Sequence, residues 1–101
     1  MSRVRKITLF ERILKRCRER IRSQQYVLTH HARKEMNDDD LTIYDVEHGI
    51  LTGKMLERQK DRVTGEWKYR IRGETLEDDK LEVIVKLSPT EKLVIITVYI
   101  L

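Results

Sequence analysis

The chain has 101 residues, 38% of them charged and 6% aromatic, with a formal charge of +4. That length fits one domain, 1–101, with a modest core, and its short apolar runs give a globular rather than a disordered composition. The longest apolar run, Leu93 to Leu101, is too short to span a bilayer as a helix, so no membrane partner is expected. The first arginines are followed by no apolar signal segment, and the lone Cys17 cannot form an internal disulfide; a reducing cytoplasm is the expected compartment.

In chain order, Ile7, Phe10, Leu14, Cys17 and Ile21 recur at helical spacing, and Thr8 followed by Glu11 fits a capping box. This predicts a helix from about Thr8 to Ser23 with an apolar stripe for the core. Up to Gln24 the chain carries nine Lys and Arg against two Glu, while the remainder is slightly acidic. Residues 1–24 therefore read as a basic helical arm suited to a polyanion or an acidic protein.

Tyr26 to Thr29 reads as a short extended segment and His31 to Asn37 as a short helix, with Ala32 and Met36 one turn apart. Asn37 to Asp40 is a polar loop. Its consecutive aspartates lack the spaced ligands and glycine of a calcium loop, and the adjacent histidines lack the spacing of a zinc helix, so no metal or other cofactor is expected. Thr42 and Asp45 form a second capping box, and Gly53 closes the helix that buries Ile43, Val46, Ile50 and Leu51.

Beyond Gly53 the period changes to alternation. Met55 to Arg62, Trp67 to Arg72, Leu81 to Leu87 and Leu93 to Leu101 predict four strands joined by short turns, an antiparallel meander. Trp67, Tyr69 and Ile71 are expected to face the core, with Lys68, Arg70 and Arg72 on the opposite face. In the last strand Val94, Ile96, Val98 and Ile100 share one face, and Thr97 and Tyr99 the other. The expected class is α+β, with N-terminal helices packed on a four-stranded antiparallel sheet.

The stretch from Thr29 to Met36 holds two adjacent histidines, His30 and His31, beside Arg33 at an element boundary. They either end a strand and cap a helix, or exchange protons near neutral pH. The outer sheet face would gather Lys68, Arg70, Arg72, Lys86, Thr97 and Tyr99. Arginine forks suit phosphate oxygens and a tyrosine ring can stack on a base, which points to single-stranded RNA; an ordinary solvent face crossed by salt bridges, for example from Arg70 or Lys68 to Glu82, is the competing reading.

From about Tyr26 to Ile100 the chain resembles the bacterial family called domain of unknown function 4258. The resemblance rests on His31-Ala32-Arg33-Lys34-Glu35-Met36, the helix from Leu41 to Gly53, and the closing Ile95-Ile96-Thr97-Val98-Tyr99 strand. It covers residues 26–101 as a family-like core and leaves 1–24 as an extension. The family looks like a branch of the fold shared by RelE-type, barnase-type and colicin-type ribonucleases, many of them toxins of toxin–antitoxin pairs. The resemblance puts the family histidine at His31 and its closing threonine and tyrosine at Thr97 and Tyr99. Arg70 and Arg72 match only by analogy of position.

The expectation that follows is a metal-independent endoribonuclease toxin acting on RNA, either free or as ribosome-bound mRNA, and paired with an antitoxin. His31 would serve as base, Arg70 and Arg72 with Arg33 would stabilise phosphoryl charge, and Tyr99 or His30 would protonate the leaving oxygen, while Lys68, Lys86 and Thr97 would help hold the RNA. The alternatives are a non-catalytic protein whose basic N-terminal helix binds nucleic acid or an acidic partner, and a toxin of this fold acting on a protein. The oligomeric state is left open.

Overall fold

A computed structural model of the protein describes residues 8–101; Ile7 of the first stripe and Arg3, Arg5 and Lys6 of the basic arm lie outside the described residues. Helix α1 spans Leu9–Arg22 and shows the Thr8 half of the expected capping box: the Thr8 hydroxyl accepts the Glu11 N–H at 3.1 Å. Its apolar side, Ile13, Leu14, Cys17 and Ile21, is buried in the common core, as the stripe implies. Burial also pushes the Cys17 thiol up to about 12, so this cysteine stays protonated and inert.

Strand β1, Tyr26–Leu28, leads into α2, His30–Asp38. Helix α2 starts at His30, one residue earlier than the pattern suggests, because the Thr29 side chain caps it by accepting the Ala32 N–H at 3.1 Å. Helix α3, Ile43–Thr52, opens on the full capping box. The Thr42 N–H donates to Asp45 Oδ2 at 2.9 Å and the Asp45 N–H to the Thr42 hydroxyl at 3.3 Å. Strands β2 (Lys54–Lys60), β3 (Trp67–Glu74), β4 (Lys80–Leu87) and β5 (Leu93–Ile100) complete the chain.

The sheet has five strands, not four, in the order β1-β5-β4-β3-β2. The last four form the expected antiparallel meander. The addition is β1, which lies parallel to β5 with Tyr26 opposite Leu93 and Leu28 opposite Ile95. The Thr29 N–H continues this edge by donating to the Ile95 carbonyl at 3.0 Å. Helix α3 packs on β3 and β4, and α1 touches α3, β2 and β5. Together they cover the face that carries Ile71, Leu81, Val83, Val85, Leu93, Ile95 and Val98. Among the described residues no helix is long and apolar enough to cross a membrane.

Two expectations about faces change. Ile84 pairs with Thr97 but Val85 pairs with Ile95, so Ile96 is an extra residue that bulges β5. The bulge shifts the phase: Leu93 and Ile95 are fully buried together with Val98, whereas Val94 and Ile96 are only partly covered. Thr97 and Tyr99 still share the outer face, opposite Ile84 and Glu82. Trp67 lies on the core-facing side of β3 but is 40% exposed.

Candidate functional site

The outer sheet face is organised around a carboxylate. Glu82, central on β4, stands opposite Arg72 of β3 and Tyr99 of β5, and its side chain is 1% exposed. Arg72 donates to Glu82 Oε2 from Nε at 2.8 Å and from Nη2 at 2.6 Å. Arg70 Nη1 donates to Glu82 Oε1 at 3.2 Å, and the Tyr99 hydroxyl donates to the same oxygen. Arg70 Nε lies 3.2 Å from Glu57 Oε1, at ion-pair distance but without an aligned acceptor.

Burial pushes the Glu82 carboxyl up, but donation from Tyr99, Arg72 and Arg70 outweighs it and holds the group below its ordinary value. The same contact with Glu82, helped by burial, raises Tyr99. Glu82 is thus ionised and clamped: it orients the two guanidinium groups and the phenol rather than accepting further protons. Arg72 remains 45% exposed, and its Nη1 has no acceptor among the described residues.

The histidine motif forms a second group. Its α2 residues run along β5, where Glu35 Oε1 accepts the Val98 N–H at 3.1 Å, beyond the end of β1. The same oxygen lies 3.2 Å from His31 Nε2, and the His31 side chain is 66% exposed. One carboxylate therefore seals a free edge of the sheet and places a negative charge at ion-pair distance from an accessible imidazole. The two groups touch consecutive residues of β5, Val98 and Tyr99. No hydrogen bond or ion pair joins His31 to Arg70 or Arg72 among the described residues; the link runs along β5.

Other expected site residues are placed as follows. His30 and Arg33 are exposed on α2 and make no side-chain hydrogen bond or ion pair among the described residues. Lys68 pairs with Asp61 at 2.9 Å and Lys86 with Glu66 at 2.7 Å. Asp61 is held well below the usual carboxylate range by the Thr64 N–H, then by Lys68 and the Val63 N–H. Thr97 lies beside Ile84 on the outer face. The anticipated cross-strand bridge from Arg70 to Glu82 is present, whereas Lys68 turns to Asp61 instead.

The profile of the family described as "Domain of unknown function (DUF4258)" matches residues 28–100. The chain belongs to this family. No curated protein and no solved structure matches it significantly. The DUF4258 match takes in both side-chain groups and leaves α1 outside, although α1 fills part of the same core. Within the DUF4258 region, motif reading gave Glu35 no separate role and took Glu82 only as a salt-bridge partner of Arg70 or Lys68, not as the centre of the cluster. Glu35 had a local signal, the i, i+4 spacing from His31. Alternation pointed to the Glu82 bridge with Arg70, but its contacts with Arg72 and Tyr99 depend on the register of two other strands.

Proposed function

We propose that this protein is a metal-independent endoribonuclease of the RelE and barnase fold type, the toxin of a toxin–antitoxin pair. The reading is supported by an accessible His31 whose ion-pair partner Glu35 reaches the β5 backbone at Val98, one residue before Tyr99 of the Arg70–Arg72–Glu82–Tyr99 cluster. RNA would lie on the outer face, where no side chain of α1 or α3 contributes to the cluster. His31 draws the proton from a 2′-hydroxyl and that oxygen attacks the adjacent phosphorus. The 5′-oxygen leaves with a proton from Tyr99 or His30, giving a 2′,3′-cyclic phosphate. The exposed part of Arg72 and its neighbour Arg70 stabilise the charge that builds on the phosphoryl oxygens.

The test is incubation of purified protein with a naked transcript and with mRNA on ribosomes, in the presence of a chelator. Wild type yields fragments ending in cyclic phosphate, and His31→Ala lowers the rate by roughly 10²- to 10⁴-fold. Intact RNA in both assays overturns the proposal. Induction in cells gives a parallel readout of growth arrest that a small antitoxin relieves.

A further inference from the structure

Trp67, the only tryptophan of the chain, sits at the start of β3 with 40% of its surface in solvent. It borders a groove of about 310 Å³ between α1, β3 and the β4–β5 turn, lined also by Ile13, Arg16, Tyr69, Leu87 and Pro89. That volume is at the lower end of those that hold a small organic ligand. The Arg58 guanidinium lies over the indole at 4.3 Å from the ring centre, with Lys60 Nζ at 5.9 Å. Arg16 lines the groove together with Trp67 and Tyr69, and Arg58 stands opposite Tyr69 in the β2–β3 pairing.

The electrostatics of this groove differ from those of the outer face. On the outer face Lys68, Arg70, Arg72 and Lys86 each meet a carboxylate. Among the described residues no carboxylate pairs with Arg16, Arg58 or Lys60. Glu66, the acid in the groove wall, is already engaged by Lys86 at 2.7 Å. The groove therefore joins positive charge that no carboxylate pairs with to a part-exposed indole, over which the Arg58 guanidinium lies, and an apolar floor. An acidic peptide satisfies the charge but offers no flat ring. A duplex offers phosphates while its bases are stacked away. A single strand offers both phosphates and free base faces.

We infer that the Trp67 groove binds single-stranded nucleic acid, with a base stacked on the indole and the backbone phosphates held by Arg16, Arg58 and Lys60. This shares with the proposed nuclease only the class of its ligand: the groove opens on the helix side of the sheet and uses neither His31 nor the Glu82 cluster.

Trp67 is its own reporter. Intrinsic fluorescence of the whole protein is titrated with a single-stranded oligoribonucleotide, the same sequence as a duplex, and a polyglutamate peptide. The single strand quenches Trp67 emission saturably, and the duplex and peptide do so at least about 10-fold more weakly, as expected for stacking-dependent binding. Neutralisation of three phosphates gives log K against log salt a slope of about −2, and Arg16→Ala or Arg58→Ala each make it shallower by about 0.7. With a labelled oligonucleotide read by anisotropy, Trp67→Leu weakens binding by roughly 5- to 150-fold. A single-stranded oligodeoxyribonucleotide, which lacks the 2′-hydroxyl that the proposed cleavage uses, quenches Trp67 in the same way, so loss of cleavage and loss of binding are read separately. Unchanged emission on adding the single strand, or polyglutamate bound as tightly as RNA, overturns the inference.

Discussion

Glu82 and Arg72 meet across β3 and β4 through two hydrogen bonds, from Nε at 2.8 Å and from Nη2 at 2.6 Å. The carboxylate is almost entirely out of solvent and also receives Arg70 and Tyr99. Glu82→Gln removes the charge that compensates two guanidinium groups while keeping the shape of the side chain. Breaking a buried ion pair costs about 3–5 kcal/mol when both partners are buried. Here the arginines keep contact with water, at 30% and 45% exposure, so a loss of about 2–3 kcal/mol is expected. Urea unfolding at neutral pH measures it, and a loss under 1 kcal/mol would show that the cluster adds little to stability.

The same clamp makes stability fall in acid. Folding holds the Glu82 carboxyl below its ordinary value of 4.5, so the folded state binds fewer protons than the unfolded chain in that window. The stabilisation is complete above the unfolded value and is lost as pH falls through the lower folded one. Asp45, held down mainly by the Thr42 N–H, and Asp61 act in the same direction. The stability difference between wild type and Glu82→Gln is therefore largest above pH 5 and shrinks on acidification. A difference constant from pH 6 to pH 2.5 would show that ionisation of Glu82 does not matter.

Glu35 separates chemistry from folding. Its Oε1 serves both the Val98 N–H at 3.1 Å and His31 Nε2 at 3.2 Å. Glu35→Gln retains an acceptor for the strand edge and loses the charge beside the imidazole. An exposed ion pair is worth up to about 1 kcal/mol, so this variant is expected to slow RNA cleavage by up to about 5-fold with little change in unfolding midpoint. Glu35→Ala should do both, because it leaves the Val98 N–H without a partner. Full activity in Glu35→Gln would detach the carboxylate from the function of His31.

The helices were legible because their signals are local. Thr8, Thr42 and Asp45 mark helix starts by side chain-to-backbone contacts within one turn, and these form where the residues imply. Alternation likewise assigned Arg70 and Arg72 to one face of β3 and Glu82 to the matching face of β4. The bulge at Ile96 was hidden because residues 93–96 are all apolar, so no polar side chain marks the phase. Strand β1 was missed as a sheet member because it has three residues and its partner β5 is far along the chain. Trp67 shows the remaining gap: alternation assigns a side of the strand but not whether a helix extends far enough to cover it.

Gly73 and Gly49 set how closely α3 approaches the sheet. A Cβ on Gly73 would lie 1.9 Å from the Gly49 carbonyl oxygen and 2.6 Å from its carbon, both backbone atoms that cannot turn aside. A Cβ on Gly49 would instead meet Leu81 Cδ2 at 2.6 Å, the far end of a flexible side chain. Gly73→Ala therefore has to push α3 off β3, for an expected loss of at least about 3 kcal/mol, the upper end of overpacking penalties. Gly49→Ala displaces only a methyl and gains about 1 kcal/mol of helix propensity, so a net change within about 1 kcal/mol is expected. Thermal unfolding of the two variants side by side tests the asymmetry. Equal losses would mean that the sheet yields as easily as a side chain, and that helix α3 is not held at a fixed distance from the Arg72 strand.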